Sequence, residues 1–138
     1  MLEQVQKLLF KLISVFLGKL KLRFRISSSL SISYNDVLDD LSAFSGVSAI
    51  GWNLTISNND ALTSLSGFDA FTDIGRDLTI KNNGVLTDVT ALHDVTDVAR
   101  HFTVEDNVTL TTTAAEALRD AIGESNIGGT VTISGNDG

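Results

Sequence analysis

From Leu30 onward the chain repeats a pattern of apolar and polar positions with a period of 24 residues. Leu30-Ser-Ile-Ser-Tyr-Asn35 aligns with Leu54-Thr-Ile-Ser-Asn-Asn59, Leu78-Thr-Ile-Lys-Asn-Asn83 and Phe102-Thr-Val-Glu-Asp-Asn107. A further copy, Val131-Thr-Ile-Ser-Gly-Asn136, follows after 29 residues. The other columns keep the same phase. Leu38, Leu62, Leu86 and Leu110 form one, and Leu41, Leu65 and Val89 the next. Phe44, Phe68 and Leu92 follow, then Val47, Phe71 and Val95, then Ile50, Ile74 and Val98. Self-similarity of this length signals a solenoid, in which each coil buries its inward side chains against its neighbours.

The triplets Leu-Ser-Ile, Leu-Thr-Ile and Phe-Thr-Val read as short strands with one face in and one face out. Stacked at about 4.8 Å they form a parallel sheet. The predicted fold is a repeat solenoid, a right-handed parallel β-helix of leucine-rich-repeat-like character. It is mostly β, with five rungs over residues 27–138. Asn35, Asn59, Asn83, Asn107 and Asn136 each follow an inward Ile or Val by three residues. An inward amide offers donor and acceptor to the turns above and below. The column therefore reads as a structural ladder, with a ligand-binding row as the alternative.

The pattern L-x-I-x-x-N-x-x-L-x-x-L-x-x-F-x-x-F-x-x-I-G, clearest from Leu54 to Asp77, resembles the leucine-rich repeats of receptor L-domains. It is most similar to the type found in microbial surface proteins. The resemblance covers residues 30–138 and implies a cell-surface or extracellular binding module. Two features depart from it. Such repeats often carry Pro after the Asn, where this chain has Asp36, Asp60, Gly84 and Val108. The receptor modules also use cysteines, and this chain has none.

The pattern changes at both ends. Residues 2–18 follow a helical period, with Leu2, Val5, Leu8, Leu9, Leu12 and Ile13 on a broad apolar arc. After Gly18 the period becomes two, with Leu20, Leu22, Phe24 and Ile26 alternating with Lys19, Lys21, Arg23 and Arg25. Residues 1–26 are read as an amphipathic cap helix and basic strand that cover the first rung, in one domain with the solenoid. Peripheral membrane contact through residues 2–17 is a second reading. A signal or anchor segment is a third, opposed by Lys11 and by the lack of a cleavage motif. Near the other end, residues 114–122 read as a short helix, with Thr113 as N-cap, Glu116 completing a capping box and Gly123 as the stop. The last strand is followed only by Asn136-Asp137-Gly138. Either the array is truncated, or this edge takes a partner or a second copy.

Charge sharpens the division. The net charge is −7, yet six of the ten basic residues lie within the first 25 positions. The solenoid is strongly acidic, which argues against nucleic acid as a partner. The absence of Cys excludes disulfides and thiolate chemistry, and two His residues make a zinc site improbable. No metal and no cofactor is expected. Paired acidic columns (Asp36 and Asp60, Asp40 and Asp88, Asp73 and Asp97) lack a calcium-repeat spacing and read as a solvated face.

The outward strand positions are the candidate working surface. One row is Ser31, Thr55, Thr79, Thr103 and Thr132, and beside it run Ser33, Ser57, Lys81, Glu105 and Ser134. On the other side stand Asn53, Asp77, His101 and Thr130. The candidate binding face comprises Thr55, Ser57, Asp77, Thr79, Lys81, His101, Thr103, Glu105 and Thr132. Strand propensity and solubility explain the same residues without a ligand. His101 beside Asp77 could orient a base, but no nucleophile column accompanies it, so no catalytic residue and no enzyme is expected. The function predicted is non-catalytic binding or adhesion at a cell surface, with protein or glycan as partner. The alternative is a structural or assembly module that stacks through its C-terminal edge.

Overall fold

The computed structural model describes residues 4–9, 11–13 and 23–138 of the chain. Nine strands and a helix follow in order: β1 (Phe24–Ile26), β2 (Leu30–Ser33), β3 (Val47–Ile50), β4 (Leu54–Ser57), β5 (Asp73–Ile74), β6 (Leu78–Lys81), β7 (Asp97–Val98), β8 (Phe102–Glu105), α1 (Thr112–Ile122) and β9 (Val131–Ser134). They form two parallel sheets, one ordered β1-β3-β5-β7 and one ordered β2-β4-β6-β8-β9. Each of the first four coils contributes one strand to each sheet and closes through a loop side, and the last adds β9 to the second sheet and a single bridge, Val98 to Ile127, to the first. The chain is a parallel β-solenoid.

The sequence period becomes the register. Leu30 pairs with Leu54, Leu54 with Leu78 and Leu78 with Phe102. The longer last interval is absorbed without a slip, because Phe102 pairs with Val131 and Val104 with Ile133. Single-residue slippage would turn Leu54, Ile56 and their equivalents outward, so the buried face holds the register. The inward columns converge on one core that includes Leu62, Leu65, Phe71, Ile74, Leu86 and Val98. Phe68 packs edge-on against Phe44 and Phe71, with ring centroids 5.4 and 4.7 Å away. At the corner between the sheets the coils approach closely: a Cβ on Gly75 would lie 2.1 Å from the Gly51 carbonyl oxygen.

The asparagine column is buried and bonded through. The Nδ2 of Asn59 donates to Asn83 Oδ1 at 3.1 Å, and the Asn59 backbone N–H donates to the same oxygen at 3.2 Å. Asn83 repeats both bonds to Asn107, and Asn107 repeats them to Asn136. Each amide also donates back to the preceding coil: Asn59 to Ile32 O, Asn83 to Ile56 O, Asn107 to Ile80 O and Asn136 to Val104 O. Asn35 keeps the forward bonds but turns its remaining donor to Ser33 O in its own coil.

The residue before each ladder Asn is left-handed. Tyr34, Asn58, Asn82 and Asp106 have φ of 59°, 54°, 55° and 54°, and Gly135 has 63°. Asn, Asp and Gly tolerate this region, whereas an aromatic residue is strained in it.

The cap of the second helix differs from expectation. The helix α1 starts at Thr112, and its N-cap is Thr111, whose hydroxyl accepts from the Ala114 N–H at 3.0 Å. The Thr113–Glu116 capping box does not form. Leu110 must fill its inward column and bonds back to Asn107 O, so Thr111 is the first residue free to cap. Gly123 ends the helix as expected, with φ of 87°. Its buried Ala115, Leu118 and Ile122 replace the loop side of the last coil. At the N-terminus, residues 4–9 and 11–13 are helical. They meet the first coil through polar groups: Lys7 Nζ lies 2.6 Å from Asp39 and donates to Val37 O. Val5, Leu8, Leu9 and Leu12 are more than half exposed. A cavity of about 310 Å³ remains between Gln6 and Lys7 and the apolar Leu30, Val37, Leu38 and Phe44. The rest of the predicted helix, and Leu20 and Leu22 of the basic strand, lie outside the described residues.

Two stability outcomes follow from the turn. Replacing Asn83 by Ala strands two buried donors of Asn59 and should cost about 3 kcal/mol, while Asn35→Ala should cost about 1 kcal/mol or less. Urea unfolding midpoints compare the two, and equal losses would refute a ladder whose interior rungs matter most. Tyr34→Asn should gain about 0.5–1 kcal/mol by relieving the left-handed strain, and a lower midpoint would contradict that strain.

Candidate functional site

The outward side of the five-stranded sheet carries three parallel rows. The central row, Thr55, Thr79, Thr103 and Thr132, is half-buried. Register brings its members together one coil apart. Among the described residues, none of these four hydroxyls bonds to the protein, although both flanking rows are bonded internally.

On one flank, Ser33 and Ser57 hydroxyls lie 2.9 Å apart. Lys81 donates to Glu105 at 3.1 Å, and Ser134 donates to the other oxygen of Glu105 at 3.2 Å. Glu105, then Asp106 at 3.5 Å, hold the Lys81 ammonium above its ordinary pKa. The pair is solvent-exposed and contributes little to stability.

The other flank is a second ladder. The Asn53 N–H donates to Ser29 Oγ, the Asp77 N–H to Asn53 Oδ1, the His101 N–H to Asp77 Oδ1 and the Thr130 N–H to His101 Nδ1. Each side chain accepts from the backbone of the next coil. Asp77 and His101 are thus brought together as predicted, but the carboxylate holds the histidine's backbone and not its ring. The ring Nδ1 is engaged by Thr130, whose hydroxyl lies 2.8 Å away. This arrangement does not orient a base toward an open site. Sequence reasoning grouped this column but missed its bonding, because Ser, Asn, Asp, His and Thr share only an acceptor atom at the right height.

Of the acidic columns, Asp40 and Asp88 each accept from the residue two places on. Asp40 accepts from the Ser42 N–H at 2.7 Å. Asp88 accepts from the Thr90 hydroxyl at 2.6 Å and from its N–H at 2.8 Å. The backbone bond from Ser42 holds the Asp40 carboxyl below its ordinary pKa, and the hydroxyl of Thr90, then its N–H, does the same for Asp88. Asp73 and Asp97 pair on the four-stranded sheet and stay exposed. Among the described residues no group of three or more His, Asp or Glu could hold a metal ion. No helix among them is long and apolar enough to cross a membrane.

No family model, no curated protein and no solved structure matches this chain.

The carboxylates of Asp40 and Asp88 set an acid limb for stability. Their folded pKa values lie below the unfolded value of about 3.9, so their contribution is full above that pH. It is lost as pH falls through the lower folded values. Asp88→Asn should therefore flatten the fall of the urea midpoint between about pH 4 and pH 2 relative to the parent chain. An unchanged slope would remove Asp88 from that role.

Proposed function

We propose that this chain is a non-catalytic binding or adhesion module that works at a cell surface, and that it takes protein or glycan on the outward face of β2, β4, β6, β8 and β9. The observation that carries the reading is the row of Thr55, Thr79, Thr103 and Thr132. Four hydroxyls in register, without protein partners among the described residues, stand between rows whose own bonds fix them in place. Such a row offers directional donors and acceptors at a repeat of about 4.8 Å with little side-chain entropy to lose. The likeness of the 24-residue repeat to receptor L-domains supports the same placement at a surface.

Arginine at Thr55, Thr79 and Thr103 together should weaken capture of labelled protein on intact cells or a glycan array at least tenfold, while the urea midpoint stays within about 1 kcal/mol of the parent. Undiminished capture by the folded variant would refute this face. Light scattering across a concentration series tests the competing reading, stacking through β9, which a monomer at all concentrations would exclude.

A further inference from the structure

We infer that Trp52, Arg76 and Arg100, at the corner between the two sheets, form a subsite for an acidic saccharide, one whose pyranose ring carries a carboxylate or a sulfate. The inference rests on the binding reading above and names a ligand class for the edge of that face.

The three residues occupy one column, one coil apart, beginning at Ser28. Arg76 N–H donates to Trp52 O at 3.0 Å and Arg100 N–H to Arg76 O at 2.9 Å, so the backbone holds them in line. The solenoid has four basic residues in an otherwise acidic surface: Arg76, Lys81, Arg100 and Arg119. Two are neutralised, Lys81 by Glu105 and Asp106, and Arg119 by Asp120. Arg76 and Arg100 form no ion pair among the described residues. Asp77 is the nearest acid in sequence to Arg76, and its Oδ1 accepts from the His101 N–H.

Neither guanidinium is held by a carboxylate among the described residues. The Arg76 guanidinium lies over the Trp52 ring, 5.1 Å from its centroid, while Trp52 stays 53% exposed. Arg100 Nη2 lies 3.5 Å from His101 Nε2. Two guanidiniums on neighbouring coils, without a carboxylate partner among the described residues, favour an anion beside them. Their planar forks match a carboxylate or sulfate in bidentate fashion. The exposed indole offers an apolar surface for a sugar ring. An inorganic anion would use only the guanidiniums, and a neutral sugar only the indole.

Trp52 is the single tryptophan of the chain, so its emission reports the site. The full chain would be titrated with tetragalacturonate, with a sulfated dextran oligosaccharide, with neutral maltotetraose and with sodium sulfate. A saturable change with at least one of the two acidic saccharides is expected, at least tenfold tighter than with maltotetraose or sulfate. The saccharide that responds identifies the anion. Arg76→Gln and Arg100→Gln should each weaken it about tenfold, whereas Arg119→Gln, which removes a guanidinium on α1 already paired with Asp120, should leave the emission change in place. No response to either acidic saccharide, an equal response to sulfate alone, or a response untouched by Arg100→Gln would overturn the subsite. If cell or array capture depends on the threonines while no acidic saccharide binds, the face stands and the subsite falls. If the arginines matter in the titration while arginine at Thr55, Thr79 and Thr103 leaves cell or array capture undiminished, the subsite stands and the wider face falls.

Discussion

A buried amide with no neighbour of its own kind would be an expense no single coil could meet. That constraint organises this protein. Asn59, Asn83 and Asn107 are fully enclosed, and each satisfies its donors by reaching one coil forward and one coil back, with Asn83 and Asn107 adding a bond to Lys81 O and Glu105 O in their own coils. The hydrophobic columns forbid a one-residue slip but not a shift of a fraction of a residue, since Leu, Ile and Phe pack non-directionally. The amides would not, because a displaced Oδ1 strands two donors at once. Burial favours the stack, and the ladder fixes the height and phase of every coil within it.

Once phase is fixed, the outer surface inherits it. The threonine row, the Ser29-to-Thr130 ladder and the Trp52–Arg100 column are straight because the asparagines behind them are straight. The outer rows add their own cross-coil bonds, such as Ser33 to Ser57 and Lys81 to Glu105. A surface so constrained is preorganised, and a ligand that meets it orders little on binding. The acidic solenoid beside the basic N-terminal segment completes the picture of a module whose charge is set by region and not by coil.

Much of this was legible in the sequence because the repeat keeps identical or similar residues at structurally equivalent positions. Leu54, Leu78 and Phe102 announce their register, and the asparagines announce their ladder. What escaped were features defined by one atom or one dihedral. The second ladder runs through five different residue types and shares only an acceptor at a common height. The left-handed turn is hidden at Tyr34, whose side chain gives no hint of the conformation that its coil imposes. The start of α1 moved from Thr113 to a cap at Thr111 because three threonines in a row are equal candidates until Leu110 is pinned inside. On the candidate face, residue identity revealed which side chains are outward. Which of those hydroxyls remain unpaired depends on neighbours one coil away.

The asparagine ladder has a direction: from Asn59 to Asn136 each side-chain carbonyl oxygen accepts from the coil before, and from Asn35 to Asn107 each amide reaches the coil after. An interior coil therefore meets the same acceptors and donors whether it has two neighbours or ten. Duplicating one 24-residue unit in frame would insert a coil that the adjoining ones could not distinguish from themselves. Loss of a single residue within a unit has the opposite consequence, since it breaks phase with everything beyond. In such an architecture length is free to vary by whole repeats, while spacing varies only where a loop side takes up the difference, as α1 does in the last interval.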